Sequence, residues 1–475
     1  MASTQLTPLP TLGLLCLWLH NPDKHLCPAS PYWQRRRAKM TTLETAPAEV
    51  LHAICALLCP KDVAATRLTS NVLAQIGAHY LVRQATFYTS EASLDRLQKI
   101  ADHPVFRQHV ESVHFEANLL ANLCCRSCWL ERFAIPGHGT RAHKLEKPEA
   151  LQPPNTVREK RAYARNLLKW EEDVNEAYDK HHALREAQQE LHQHGPELMA
   201  KIMPQLPRLQ KITFTIGRCQ HALSKRFQED FDSKLGFCPP LSIDTGSTGS
   251  QLKHILLPGG NPLRDLQSLV VSDLDPSLFN LEGGPSVMRP AFANLKKLDI
   301  SFRLPDKVEP STEPGLYSDL KDGGLRDAIS SADNLEDLRI AFSDFTYDGA
   351  CVDLNNILGK KSFDHLKKLS ISYVEAEARS FIETLKRQKF LKHLAIHSVC
   401  IKGSWVKVLE KMQKELSLKH ANFDGFLADN EGMYDVSPSS CKIVISHLSG
   451  RLGWTLIAET LPVPKLFLSF QVSTS

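Results

Sequence analysis

One spacing of apolar residues returns along this chain: apolar, two others, apolar, one other, apolar. It reads Val110/Val113/Phe115, Leu209/Ile212/Phe214, Leu266/Leu269/Val271 and Leu295/Leu298/Ile300. It returns as Leu335/Leu338/Ile340, Leu366/Leu369/Ile371 and Leu391/Leu394/Ile396. The last two apolar positions are two apart, so on an extended strand both leave the same face. The first turns the chain in from the preceding loop. Between successive units, residues 320–329, 352–358, 376–385 and 406–416 have helical spacing. Strand, turn and helix recurring at intervals of roughly 25 to 40 residues predict an irregular α/β solenoid, whose units bury their apolar edges against one another. An α/β domain whose strands happen to share this spacing is the alternative.

Upstream, residues 43–81 predict three short helices. Pro47 suits a first helical turn, and Val50, Leu51, Ile54, Leu57 and Leu58 then share one face. Pro60 ends that helix, and Asp62 is placed to cap a second carrying Val63 and Leu68. Leu73, Ile76, Tyr80 and Leu81 mark the third. Three such helices bury little among themselves, so part of their apolar face is expected to need a partner. A β-prone stretch follows at 85–89, then a helix with Leu94, Leu97 and Ile100 that ends at His103-Pro104.

Between the Val110 and Leu209 units lies an insertion. Thr156-x-x-Glu159 has capping-box form, and Tyr163, Leu167, Trp170, Val174, Tyr178, Leu184 and Leu191 recur at helical steps as far as Gly195-Pro196. This predicts a long amphipathic helix, with a break near His181-His182. Its stripe is expected to pack on the first repeats; a partner-binding or self-associating helix is the alternative.

The chain has 475 residues, room for two or three domains. Its 57 basic and 53 acidic residues give a net charge of +4, which offers no reason to expect nucleic acid or an anionic membrane surface as main partner. Twelve scattered cysteines read as reduced thiols rather than a secreted disulfide framework. The apolar run at 9–19 falls short of the roughly 20 residues a bilayer span needs, and it lacks the preceding positive charge of a signal peptide. Residues 1–39, with the basic run Arg35-Arg36-Arg37, read as a disordered extension; that run could also serve nuclear import.

Residues 43–81 resemble an F-box, the adaptor-binding module of Skp–cullin–F-box ubiquitin ligases. Leu43, Pro47, Glu49, Leu51, Ile54, Leu58, Asp62, Val63 and Leu68 fall on the family pattern. Ala46 departs from it, since the family usually has Leu before the Pro. Together with the His103-Pro104 to Phe115 segment, the polar helical insertion and the repeats, the chain from about Met40 to Phe423 resembles the large F-box family of filamentous fungi. The repeats resemble leucine-rich repeats but lack the Asn or Cys ladder, the equivalent positions including Arg303, Ser343, Val374 and Val399.

The resemblance implies a substrate receptor that does no chemistry itself and needs no cofactor. It implies a Skp-type adaptor, and through it a cullin, docking on Leu43, Pro47, Val50, Leu51, Ile54, Leu58, Val63 and Leu68. A protein substrate would then meet the non-core strand positions: Lys297, Asp299 and Ser301; Asp337 and Arg339; Lys368, Ser370 and Ser372; His393 and His397. The expected organisation is extension (1–39), F-box (40–82), first repeat-like unit (83–135), linker and helical insertion (136–205), solenoid (206–423) and closing cap or tail (424–475), in the cytoplasm or nucleus. The alternative is a leucine-rich-repeat scaffold with no ubiquitin role.

Motifs for other chemistry are weak. Cys124-Cys125-x-x-Cys128 with His138 and His143 has an allowed zinc spacing but nothing else to support a site. His181-His182 with His192 and His194 reads as a solvated helix face. Gly246-Ser-Thr-Gly-Ser250 lacks the nucleophile-elbow pattern, and Gly259-Gly260 and Gly283-Gly284 lack a phosphate-loop context.

Overall fold

The computed structural model describes residues 43, 46–120, 125–133, 156–216, 241–242, 248–261, 263–279, 284–302, 320, 323–342, 352–430, 433–436, 442–448 and 451–457. They divide into two units, one ending at Leu81 and one beginning at Val82. The expectations for residues 1–39, Cys124, His138 and His143 lie outside the described residues.

The first unit is three helices, α1 (Ala48–Leu57), α2 (Pro60–Arg67) and α3 (Asn71–Leu81). Pro47 precedes α1 at φ −52°, and Pro60 opens α2, where a missing N–H leaves no bond unmade. Cys59 takes the cap position expected for Asp62, which lies inside the first turn and accepts from the Cys59 thiol at 3.1 Å. Leu51, Cys55, Val63, Leu73 and Ala78 form the interior, each at most 1% exposed. Gly77 lets α3 close on α2: a Cβ there would lie 2.4 Å from Arg67 Cγ. Arg67 Nε meanwhile donates to the Ala74 carbonyl at 2.8 Å.

The second unit is mixed α/β. Nine parallel strands form one sheet in which each new strand lies beside its predecessor in the chain. They are β1 (Gln84–Tyr88), β2 (Ser112–Glu116), β4 (Lys211–Thr215), β6 (Ser268–Leu274), β7 (Lys297–Phe302), β8 (Asp337–Phe342), β10 (Lys368–Ser372), β12 (His393–His397) and β14 (His420–Asp424). Short β3 (Leu119–Leu120) and β5 (Leu241–Ser242) pair with each other. Every apolar position of the recurring spacing, from Val110 to Ile396, is at most 5% exposed. Leu298, Leu338, Leu369 and Leu394 align in register, as do Ile300, Ile340, Ile371 and Ile396. The strands also start alike. The carbonyl just before one strand accepts from the amide opening the next: Gln267 from Lys297 (2.9 Å), Glu336 from Lys368 (3.0 Å) and Lys392 from His420 (3.0 Å).

The spacing extends further than the leucines show. Val82/Ala85/Phe87 and Leu418/Ala421/Phe423 supply the first and last strands, with alanine at the middle position. Two expected helices are shortened by strands. Residues 352–353 form β9 before helix Leu354–Leu358, and 374–377 form β11 before helix Ala378–Arg387. With β13 (Cys400–Lys402), β15 (Phe426–Ala428) and β16 (Met433–Asp435) they make a second sheet. The chain reaches β11, β13 and β15 by turning at Tyr373 (φ 57°), Ser398 (φ 51°) and Gly425 (φ 74°). Each is the fifth residue after a strand start, as is Asp273 (φ 55°) after β6 begins. Residues 442–448 and 451–457 pair as an antiparallel hairpin.

The insertion is one helix of 46 residues, Val157–Ile202, here α6, with α4 (Glu91–Asp102) and α5 (Arg126–Phe133) before it. Thr156 and Glu159 form the reciprocal capping box. The helix neither breaks at His181-His182 nor stops at Gly195-Pro196. Met199 and Ile202 are buried in the main core, and that burial holds the last turns through the proline. Upstream, Val174 and Ala177 pack with Tyr88, Leu120 and Trp129 of α5 in a second apolar cluster. No helix among the described residues is long and apolar enough to cross a membrane.

Candidate functional site

In the three-helix unit the residues expected to meet a partner separate into two sets. Leu43, Pro47, Val50 and Leu68 are exposed, Leu68 at 90%, while Ile54 and Leu58 are half-buried. Leu51 and Val63 face the unit's own interior at 1%. Leu51 and Val63, which the resemblance places under an adaptor, belong instead to the interior that Cys55 and Leu73 also fill. Two further residues belong to the exposed set, Leu57 at 88% and Val72 at 45%. Leu57 lies three residues beyond Ile54, a spacing visible in the sequence; Val72 had no such signal. Leu43, Val50, Leu57, Leu68 and Val72 thus leave apolar side chains uncovered on a small unit.

In the second unit, alternation along each strand sends every other side chain to the face opposite the main core. At β1 and β2 that face is closed. Tyr88, His114 and Glu116 are at most 2% exposed, and His114 Nε2 lies 3.1 Å from Thr215 Oγ1. Gln188 of α6 ties the helix to the segments that follow them, accepting from the Leu120 amide of β3 at 2.8 Å and donating to the carbonyl of Thr89, just after β1, at 3.1 Å. From β7 to β14 the face is largely open.

The expected substrate-facing residues come together there in register. Lys297, Asp337, Lys368 and His393 form one row, continued by His420; Asp299, Arg339 and Ser370 form the next, continued by Ala395 and Asn422. Ser301, Ser372 and His397 fall in a third row through Ala341, and it ends at Asp424. Ser372 is the exception to exposure, being 8% exposed and so covered. Arg339 Nε approaches Asp299 at 3.8 Å, an exposed pair worth little by itself. His397 of β12 links Tyr373, which follows β10, to β14, with Nε2 3.1 Å from the Tyr373 hydroxyl and Nδ1 3.4 Å from Asp424 Oδ2. The rings of His393 and His420 stack at 4.9 Å and 15°. Burial, then His420 and the lysines at 368, 419 and 392, lower the pKa of His393. The three rows thus bring mixed charges, hydroxyls, an amide and imidazoles together in register.

Cys125 and Cys128 lie with their sulfurs 3.4 Å apart at the start of α5. No group of three or more metal-ligating side chains occurs among the described residues. His181 packs against Trp129 and is buried, which corrects its assignment to a solvated helix face. No protein-family model matches the chain, and no similar sequence is found among curated proteins.

Proposed function

We propose that this chain is the substrate-recognition subunit of a Skp–cullin–F-box ubiquitin ligase, with the three-helix unit as F-box and the nine-stranded unit as an irregular leucine-rich-repeat solenoid. In this reading a Skp-type adaptor docks on the exposed apolar residues of the helices and connects the chain to a cullin. A protein substrate meets the open strand face, and the chain raises that substrate's effective concentration near a ubiquitin-loaded partner. It performs no chemistry of its own and works in the cytoplasm or nucleus.

The observation that carries the reading is the partition within the helical unit. A module that needs Leu51, Val63 and Leu73 for its own interior leaves Leu57 and Leu68 almost fully exposed. The open face of the sheet supports it as well, because a parallel sheet is ordinarily covered on both sides. Ala46, in place of the family's leucine, favours the second reading, an interaction scaffold without a ubiquitin role. Co-expression with a Skp-type adaptor decides between them. A stoichiometric complex surviving gel filtration is the expected result, and separate elution of two folded proteins contradicts the receptor.

A further inference from the structure

The first row of the open face changes character along the sheet. After Asp337 come Lys368, His393 and His420 on three adjacent strands, one behind another in register. The second row behind them is small or neutral: Ser370, Ala395 and Asn422. Short side chains behind long ones leave an open depression of about 450 Å³, lined by these residues and Asp337. Lys392 and Lys419 precede His393 and His420, and no ion pair engages Lys368, Lys392 or Lys419 among the described residues. Asp337 is the carboxylate of the lining, and Glu336, which precedes it, is paired with Lys367 at 2.6 Å, so unpaired cations outnumber unpaired carboxylates around the depression among the described residues.

We propose that this depression binds a carboxylate-rich peptide segment, which crosses β8 to β14 with its acidic side chains over Lys368, His393 and His420. Charge complementarity selects the occupant. The lining has one lysine, Lys368, and two imidazoles but no arginine, so it presents separate point donors rather than the fork that suits one phosphate dianion. No tryptophan, tyrosine or phenylalanine lines it, which removes the stacking platform a single-stranded nucleic acid would use. The Ser370 hydroxyl and Asn422 amide are the polar groups of the floor. His393 adds pH dependence. Its partial burial disfavours its charged form first, and then His420 of β14, Lys368 of β10, Lys419 just before β14 and its own neighbour Lys392 do the same. A bound carboxylate reverses that balance, so acidification strengthens binding.

As a statement about substrate class this rests on the receptor reading above; as a binding site it is separate from the adaptor surface. The test uses the full chain and a fluorescein-labelled ten-residue poly-glutamate, followed by fluorescence polarisation. Binding is expected to weaken with salt and to tighten about threefold or more between about pH 7.5 and pH 6. A Lys368→Glu plus His420→Glu variant, folded by its melting transition, should bind at least about tenfold more weakly. Lys211→Glu, in the same row but outside the depression, should stay within about twofold. No binding by the folded chain, or equal losses in both variants, overturns the site. Binding about tenfold tighter to a phosphoserine peptide of equal charge, or to a ten-nucleotide thymidine strand, overturns the choice of occupant. An adaptor pull-down on the parent chain separates the two proposals: no peptide binding with the adaptor retained counts against this site alone, and no adaptor with peptide binding retained counts against the receptor alone.

Discussion

Glu116 carries a carboxyl group to a place where neither oxygen has a hydrogen-bond partner and the residue is 1% exposed. Burial pushes its pKa up to about 7. The folded state therefore holds this proton more tightly than the unfolded chain, so stability falls as pH rises from about 4.5 through 7. His181 acts from the other side. Burial, helped by Arg185 and His182, lowers it to about 4, so stability is lost as pH falls from about 6.5 toward 4. Glu116→Gln keeps the shape of the protonated acid and is expected to raise stability at about pH 8 by about 1–3 kcal/mol. Denaturant melts across pH check this, and an unchanged alkaline decline contradicts it. At this scale the sequence showed that His114 and Glu116 alternate with Val113 and Phe115. It did not show that both are buried, because nothing in a strand's own pattern records what lies over its polar face.

Among the elements, the corners between the two sheets show what periodicity misses. Tyr373, Ser398 and Gly425 take positive φ at equivalent places, and each starts a strand of only three or four residues. Val374-Glu-Ala376-Glu377 is too short to show alternation, so it reads as the start of the helix that follows. Gly425 is the corner that glycine serves best: an added Cβ would fall 2.3 Å from Ser398 Oγ. Gly425→Ala is expected to cost about 1–3 kcal/mol. A melting temperature equal to the parent's would show that the corner yields freely. The long helix makes the opposite point. Its cap at Thr156 was legible from local chemistry, whereas its passage through Pro196 depends on Met199 and Ile202 finding a core built from other parts of the chain.

Over the whole molecule, the recurring spacing was the most legible feature because each strand repeats one physical task, presenting two side chains to one continuous core. Leu298→Ala or Leu369→Ala should cost about 2–5 kcal/mol, read from denaturant melts. The role of the helical unit was less legible, since amphipathic spacing marks which side chains share a face but not whether that face meets the unit's own interior or a partner. Leu51 is buried within the unit while Leu57 and Leu68 are exposed, and the central proposal is drawn from that difference. The most direct test measures a Skp-type adaptor's affinity, by calorimetry, for the full chain and for a Leu57→Ser plus Leu68→Ser variant. The account predicts at least about a tenfold loss of affinity with the melting transition unchanged. Full adaptor affinity in the folded double variant, or no adaptor binding by the parent chain, would contradict it.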